Sequence, residues 1–177
     1  MNVFIGSDHA GFELKESLRK ALGEIGYRVI DCGAFAYHPE DDYPFFISKV
    51  ARAVSEAEAV RDSEENLPHI VAGERGAESV TRGIVIGGSG QGEAIVANKF
   101  PHVRAALCYG GESAGKIVEL SREHNDANVL SLGARFISED QALELVIKWL
   151  NAPFSGDSRH VRRIHEIEEI KHRPLYE

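Results

Sequence analysis

Five short apolar runs, Asn2–Ile5, Tyr27–Cys32, Gly83–Ile86, Arg104–Cys108 and Val129–Leu132, alternate with stretches of helical spacing, and that alternation leaves few folds open. Leu14, Leu18, Ala21, Leu22 and Ile25 share one helical face, as do Phe46, Val50, Val54 and Ala57, and then Ala114, Ile117 and Val118. A strand that returns through a helix runs parallel to its neighbour, because the crossover carries the chain back to the same end of the sheet. The pattern therefore predicts an α/β fold of three layers: a five-stranded parallel, Rossmann-like sheet with helices on both faces. Ala142, Leu145, Val146, Trp149 and Leu150 mark one more amphipathic helix, with Trp149 in the core. Val161, Ile164, Ile167 and Ile170 recur every three residues among Arg and Glu, which predicts a C-terminal helical arm from about residue 158 that packs on a partner subunit.

At 177 residues and 43% hydrophobic, the chain can bury one sizeable core, so a single domain over 1–177 is expected. Residues 58–82, rich in Glu, Arg, Ser and Gly, exceed what a helix-to-strand link needs and predict an exposed inserted loop, with 68–73 able to form a short strand or clip inside it. A formal charge of −8 argues against nucleic acid or an anionic membrane surface as the partner. No apolar run approaches the ~18 residues of a membrane span, and no basic leader precedes Val3, so a cytoplasmic protein is expected. Cys32 and Cys108 stand in no metal-ligand spacing and predict buried, reduced thiols.

In an open parallel sheet, ligands bind beyond the carboxyl ends of the strands. Three loops that should meet there carry chemistry. Gly87-Gly88-Ser89-Gly90-Gln91-Gly92-Glu93 holds four glycines in seven residues between a strand and a helix, a turn whose free amides can cradle an oxyanion. Glu93 at its end would repel a phosphate but suits a base that takes a proton as an oxyanion forms; as an alternative, the loop is a nucleotide turn with Glu93 as an ordinary first-turn acid. Asp8 and His9 follow the first strand and suit hydroxyl binding or proton relay, although Asp8 could simply cap the next helix. Arg135 follows the fifth strand.

Two further groups lie elsewhere in the sequence. Arg159 and Arg163, four apart on one helical face with His160 beside them, can grip a phosphate together with Arg135. His124 and Asn125 precede the fifth strand, at the amino end of the sheet, so a catalytic His124 would serve a second subunit; the structural alternative is a helix-terminal histidine with Asn125 as the left-handed cap.

Taken together, Gly6 to Lys15, Asp42-Tyr43-Pro44, Gly87–Glu93 with Ala97-Asn98-Lys99, His124–Asn128 and Arg159-His160-x-Arg162-Arg163 resemble ribose-5-phosphate isomerase type B, a family that also includes galactose-6-phosphate isomerase subunits and allose-6-phosphate isomerases. The resemblance runs from about Asn2 to Ile164, interrupted by residues 58–82. It implies interconversion of D-ribose 5-phosphate and D-ribulose 5-phosphate through an enediolate, without metal or cofactor, by a homodimer with shared active sites that allows a dimer of dimers. Many members carry a catalytic cysteine after the third strand and a threonine two residues later; Gly87 and Ser89 stand there, so this chain looks like the branch whose base is a glutamate, here Glu93. By the same resemblance His124 is the ring-opening acid, Asp8 and Asn125 orient hydroxyls, and Ser89 with the amides of Gly88, Gly90, Gln91 and Gly92 stabilises the enediolate. Arg135, Arg159, Arg163, His160 and His9 then hold the phosphate.

Overall fold

A computed structural model of the protein describes residues 1–65 and 80–170, of which 62–65 by backbone alone. The five predicted strands form, as β1 (Asn2–Ser7), β2 (Arg28–Asp31), β3 (Thr81–Gly87), β4 (Ala105–Cys108) and β5 (Val129–Gly133). They make one sheet in the order β2-β1-β3-β5-β4, and every recorded pairing is parallel. Six α-helices connect and cover it among the described residues: α1 (Phe12–Ile25), α2 (Tyr43–Glu65), α3 (Gln91–Ala97), α4 (Ala114–Asn125), α5 (Glu139–Asn151) and α6 (Ser158–Glu169).

The alternation of side chains along each strand feeds two cores. Val3 and Ile5 of β1, Ile84 and Ile86 of β3 and Leu130 and Leu132 of β5 point to one face, where Leu18 and Leu22 of α1, Val118 of α4 and Val146 and Trp149 of α5 complete the layer. Val85 and Val129 point to the other, against Ile47, Val50 and Val54 of α2 and Ala97 of α3. Trp149 is fully buried, as its place on the apolar stripe of α5 required. That helix starts where the Ser138 hydroxyl accepts from the Gln141 amide, with Glu139 and Asp140 in its first turn favoured by the dipole.

The expected insertion is shorter than 58–82. Helix α2 carries on through Glu65 and β3 begins at Thr81, while Glu58 and Arg82 are only 3% and 7% exposed. The charges that suggested a solvated face instead neutralise one another in the interior: a Glu58 carboxylate oxygen lies 2.6 Å from Arg61, 3.8 Å from Arg104 and, through its other oxygen, 3.9 Å from Arg82. Burial nonetheless pushes Glu58 above its ordinary value against the pull of the three arginines. Residues 66–79, including the expected strand or clip at 68–73, lie outside the described residues.

The C-terminal segment is the predicted helix, and its inner face packs on its own chain. Val161, Ile164, His165 and Glu168 wall a cavity of about 450 Å³ whose floor is Arg61, Arg82, Arg104, Arg122 and Asp126. Ile167 and Ile170 stay 53% and 67% exposed. No helix among the described residues is long and apolar enough to cross a membrane.

Candidate active site

The carboxyl ends of β1, β3 and β5 bring three of the loops together. After β3 the chain turns through Gly90, which has φ +73° and whose missing side chain would meet the Leu132 carbonyl carbon at 2.9 Å. Only glycine combines that left-handed backbone with such close approach. The Gly90 carbonyl is held from beneath by the buried Ser131 hydroxyl, which donates to it over 2.6 Å. Helix α3 starts at Gln91 with no side-chain bond from its N-cap Gly90; at seven residues its dipole is short, and the local N–H groups matter more than the macrodipole.

Glu93, in the first turn of α3, is 4% exposed and lies against the α-carbon of Gly87, in the volume a side chain at 87 would take. Burial raises its pKa above the ordinary carboxylate value, and the charge of Asp8 adds to the effect although the backbone amide of Glu93 itself opposes it. The remaining loop residues have distinct neighbours. The Ser89 hydroxyl accepts a long bond, 3.4 Å, from the Gln91 amide; the Gln91 side chain donates to the Tyr109 hydroxyl at 3.1 Å; Gly88 lies against the Arg135 guanidinium, whose Cζ is 3.1 Å from its ideal Cβ position. Gly92 packs on the ring of Tyr43, with the hydroxyl 2.6 Å from where a β-carbon would sit.

Asp8 does cap the short turn His9–Gly11, accepting from the amides of Ala10 (3.0 Å) and Gly11 (3.3 Å). It is 7% exposed and close enough to Glu93 to raise it, so the capping role and a place in the crevice are combined in one side chain. His9 is tied to Asp41, from the β2–α2 connection, by both its backbone amide (2.9 Å) and Nδ1 (2.8 Å). Asp8, His9 and Asp41 are the one trio of metal-type side chains gathered within 4.8 Å among the described residues. An Asp8 oxygen is committed to two amides and an Asp41 oxygen to His9, while the other Asp8 oxygen stands 3.9 Å from the His9 ring, at ion-pair rather than hydrogen-bond distance.

The other predicted residues stand at the amino end of the sheet, separated from the glycine loop by the length of the five-residue β5, roughly 16 Å. His124 lies in the last turn of α4, and its ring lies 4.4 Å from that of His160, tilted by 39°. Asn125 is the exposed last residue of α4, and Asp126, not Asn125, is the left-handed cap, with φ 45°. The reason is electrostatic: Arg122 bonds the Asp126 carboxylate at 2.6 Å and Arg104 at 3.0 Å, and the two outweigh burial to hold it below its ordinary pKa. Arg159 and Arg163 are exposed on α6.

His160, expected beside the phosphate-binding arginines, turns its ring inward. It is 4% exposed; Nδ1 bonds the Ser155 hydroxyl at 2.8 Å and Nε2 faces an Arg159 nitrogen at 3.3 Å. His160 thus orients Arg159 and His124. Four residues in or near the crevice had drawn no role from sequence: Asp41, Tyr43, Tyr109 and Ser131. Ser131 carried a signal, a lone hydroxyl inside the apolar run Val129–Leu132. Neither cysteine offers a competing base, since both are free and burial pushes each thiol up to about 11, the neighbouring Asp31 adding to the effect on Cys32.

A buried acid over open amides is an environment for moving protons, and it sets the chain among the doubly wound α/β enzymes. Which of them follows from comparison with known proteins. The sequence matches the Ribose/Galactose Isomerase family over residues 3–62 and 66–167, and the chain belongs to that family. It is 39% identical to ribose-5-phosphate isomerase B of Mycolicibacterium paratuberculosis over 172 residues, 97% of this chain and 92% of that one. Against the Escherichia coli ribose-5-phosphate isomerase B it is 37% identical over 171 residues, 97% of each. Among solved structures, ribose-5-phosphate isomerase B of Mycoplasma genitalium with bound ribulose-5-phosphate superposes with a TM-score of 0.78 at 32% identity, covering 98% of this chain and 97% of the other. The Clostridium thermocellum ribose-5-phosphate isomerase B gives 0.78 at 41%, covering 97% and 98%.

Proposed function

We propose that the protein interconverts D-ribose 5-phosphate and D-ribulose 5-phosphate, using Glu93 to carry a proton between carbons 1 and 2 of the open-chain sugar. The observation that carries this reading is the burial of the Glu93 carboxylate against Gly87, beside the uncapped turn of α3. A free glutamate is a weak base for a carbon acid; desolvation strengthens it, and a positioned base contributes roughly 10²–10⁴-fold. The amides from Gly88 to Gly92, with Ser89, stabilise the enediolate oxygen, each such donor being worth about 3–4 kcal/mol in the transition state. Asp8 orients a hydroxyl, and Arg135 with His9 meets the phosphate on the same subunit.

His124, Asn125, Arg159 and Arg163 reach the crevice of a second copy in this reading. They are too far from Glu93 of their own chain to share one sugar phosphate with it, while a homodimer would supply the ring-opening acid, a hydroxyl ligand and two guanidiniums from its partner. The exposed Ile167 on α6 and Ile170 just past its end support an interface there. The reaction as drawn needs no metal. The two free thiols fit the reducing cytoplasm.

Incubation of the purified protein with ribose 5-phosphate in heavy water tests the proposal: ribulose 5-phosphate forms and deuterium enters at the transferred position. Parallel assays with allose 6-phosphate and galactose 6-phosphate test the substrate, and faster turnover of either hexose phosphate overturns the pentose assignment.

A further inference from the structure

Asp41 belongs to none of the expected site motifs, yet its Oδ1 takes two bonds from a single residue, the His9 amide at 2.9 Å and the His9 Nδ1 at 2.8 Å. An ionised carboxylate only accepts, so Nδ1 must carry a proton and Nε2 is directed away from the carboxylate. The second Asp41 oxygen is buried without a hydrogen-bond partner among the described residues. A buried, half-satisfied carboxylate is costly, and a neighbouring positive charge offsets that cost. Asp8 Oδ2 lies 3.9 Å from the same ring nitrogen, and among the described residues Asp8 and Asp41 form ion pairs with His9 alone.

We infer that Asp41 is a positioning residue for phosphate recognition: it locks the His9 ring and keeps it an imidazolium whose Nε2–H is offered to the phosphate dianion of the substrate. The inference rests on the proposed phosphate role of His9. The titratable groups facing His9 are Asp8 on its own loop and, from the β2–α2 connection, Asp41 and Tyr37, whose ring meets the imidazole edge-on at 6.3 Å. The next acid inward is Glu93, which feels Asp8. The pKa of His9 is raised, chiefly by the bond to Asp41 against a desolvation cost, with the charge of Asp8 adding to the rise.

The consequence is a recognition step that follows the charge of one ring. An ordinary histidine near 6.5 is only about one quarter protonated at pH 7, so loss of the Asp41 charge raises KM by up to about fourfold there if the imidazolium alone binds. Near pH 5.5 both forms are charged and the two KM values converge.

The test is Asp41→Asn, which keeps an acceptor oxygen and removes the charge, with the exposed neighbour Glu40→Gln as control. The expected result is a KM ratio of variant to wild type near one at pH 5.5 that grows through pH 7, a smaller change in kcat, and no such trend for Glu40→Gln. NMR titration of the His9 ring without substrate runs alongside: its midpoint lies above 6.5 in the wild type and falls in Asp41→Asn. A KM ratio independent of pH overturns the inference, as does a wild-type midpoint at or below 6.5, which reads even if the variant does not fold. If the protein lacks isomerase activity altogether, the proposed function fails, while the ring titration, repeated with inorganic phosphate, still decides whether Asp41 sets the charge and anion affinity of His9.

Discussion

The Glu93 carboxylate occupies the space that a β-carbon on Gly87 would need, so the two positions compete for one volume. With no side chain at Gly87, that volume is open to the Glu93 carboxylate from the next helix. Gly87→Ala therefore expels the carboxylate. Gly87 has no left-handed φ, so the backbone tolerates alanine, and the variant should stay folded by circular dichroism while kcat falls on the order of 10²-fold.

Glu93→Gln retains size and removes proton affinity, and turnover should drop by roughly 10²–10⁴-fold in a direct isomerisation assay. Stability should move the other way. Because the folded state holds the Glu93 proton more tightly than the unfolded chain, stability falls as pH rises from the ordinary carboxylate range through the raised folded value. Glutamine has no such loss, so its melting temperature at pH 7 should equal or exceed that of the wild type. In the wild type, kcat/KM should rise with pH through a midpoint above the ordinary 4.5.

With each thiol pushed up to about 11, only about one molecule in ~10⁴ carries a thiolate at pH 7. The double variant Cys32→Ser, Cys108→Ser should hold kcat within about twofold, and iodoacetamide at neutral pH should spare the native enzyme. Loss of activity on alkylation would point to a thiol base.

Glu93→Gln and His124→Asn should each be inactive, for different halves of the site. Mixed under conditions of subunit exchange, they should recover about a quarter of wild-type activity, since half of randomly formed dimers then hold one intact site of two. No recovery in mixtures shown by mass spectrometry to contain heterodimers would remove the shared site.

The layers and the glycine loop were legible because their signals are local: period-two strands, helical stripes, and glycines packed between Ile86 and Ala94. What stayed hidden depends on distant partners. His9 and Asp41 are 32 residues apart, and nothing in either neighbourhood announces the pair. Glu58 and Arg82 look like surface charges until α2 and β3 are packed, when they bury each other with Arg61 and Arg104. His160 sits in a basic run that suggested anion binding, whereas the tertiary fold turned its ring inward onto Ser155 and His124.

Arg104 donates to the carbonyls of Asn125 and Asp126 at 3.1 Å each, to the Asp126 carboxylate at 3.0 Å and to Glu168 at 3.3 Å. One guanidinium thus ties the end of α4, next to His124, to the helix bearing Arg159 and Arg163. In genetic terms the two proposed roles are linked: under the shared-site proposal, a lesion at Arg104 should carry a double phenotype, weakening ring opening and phosphate affinity at once.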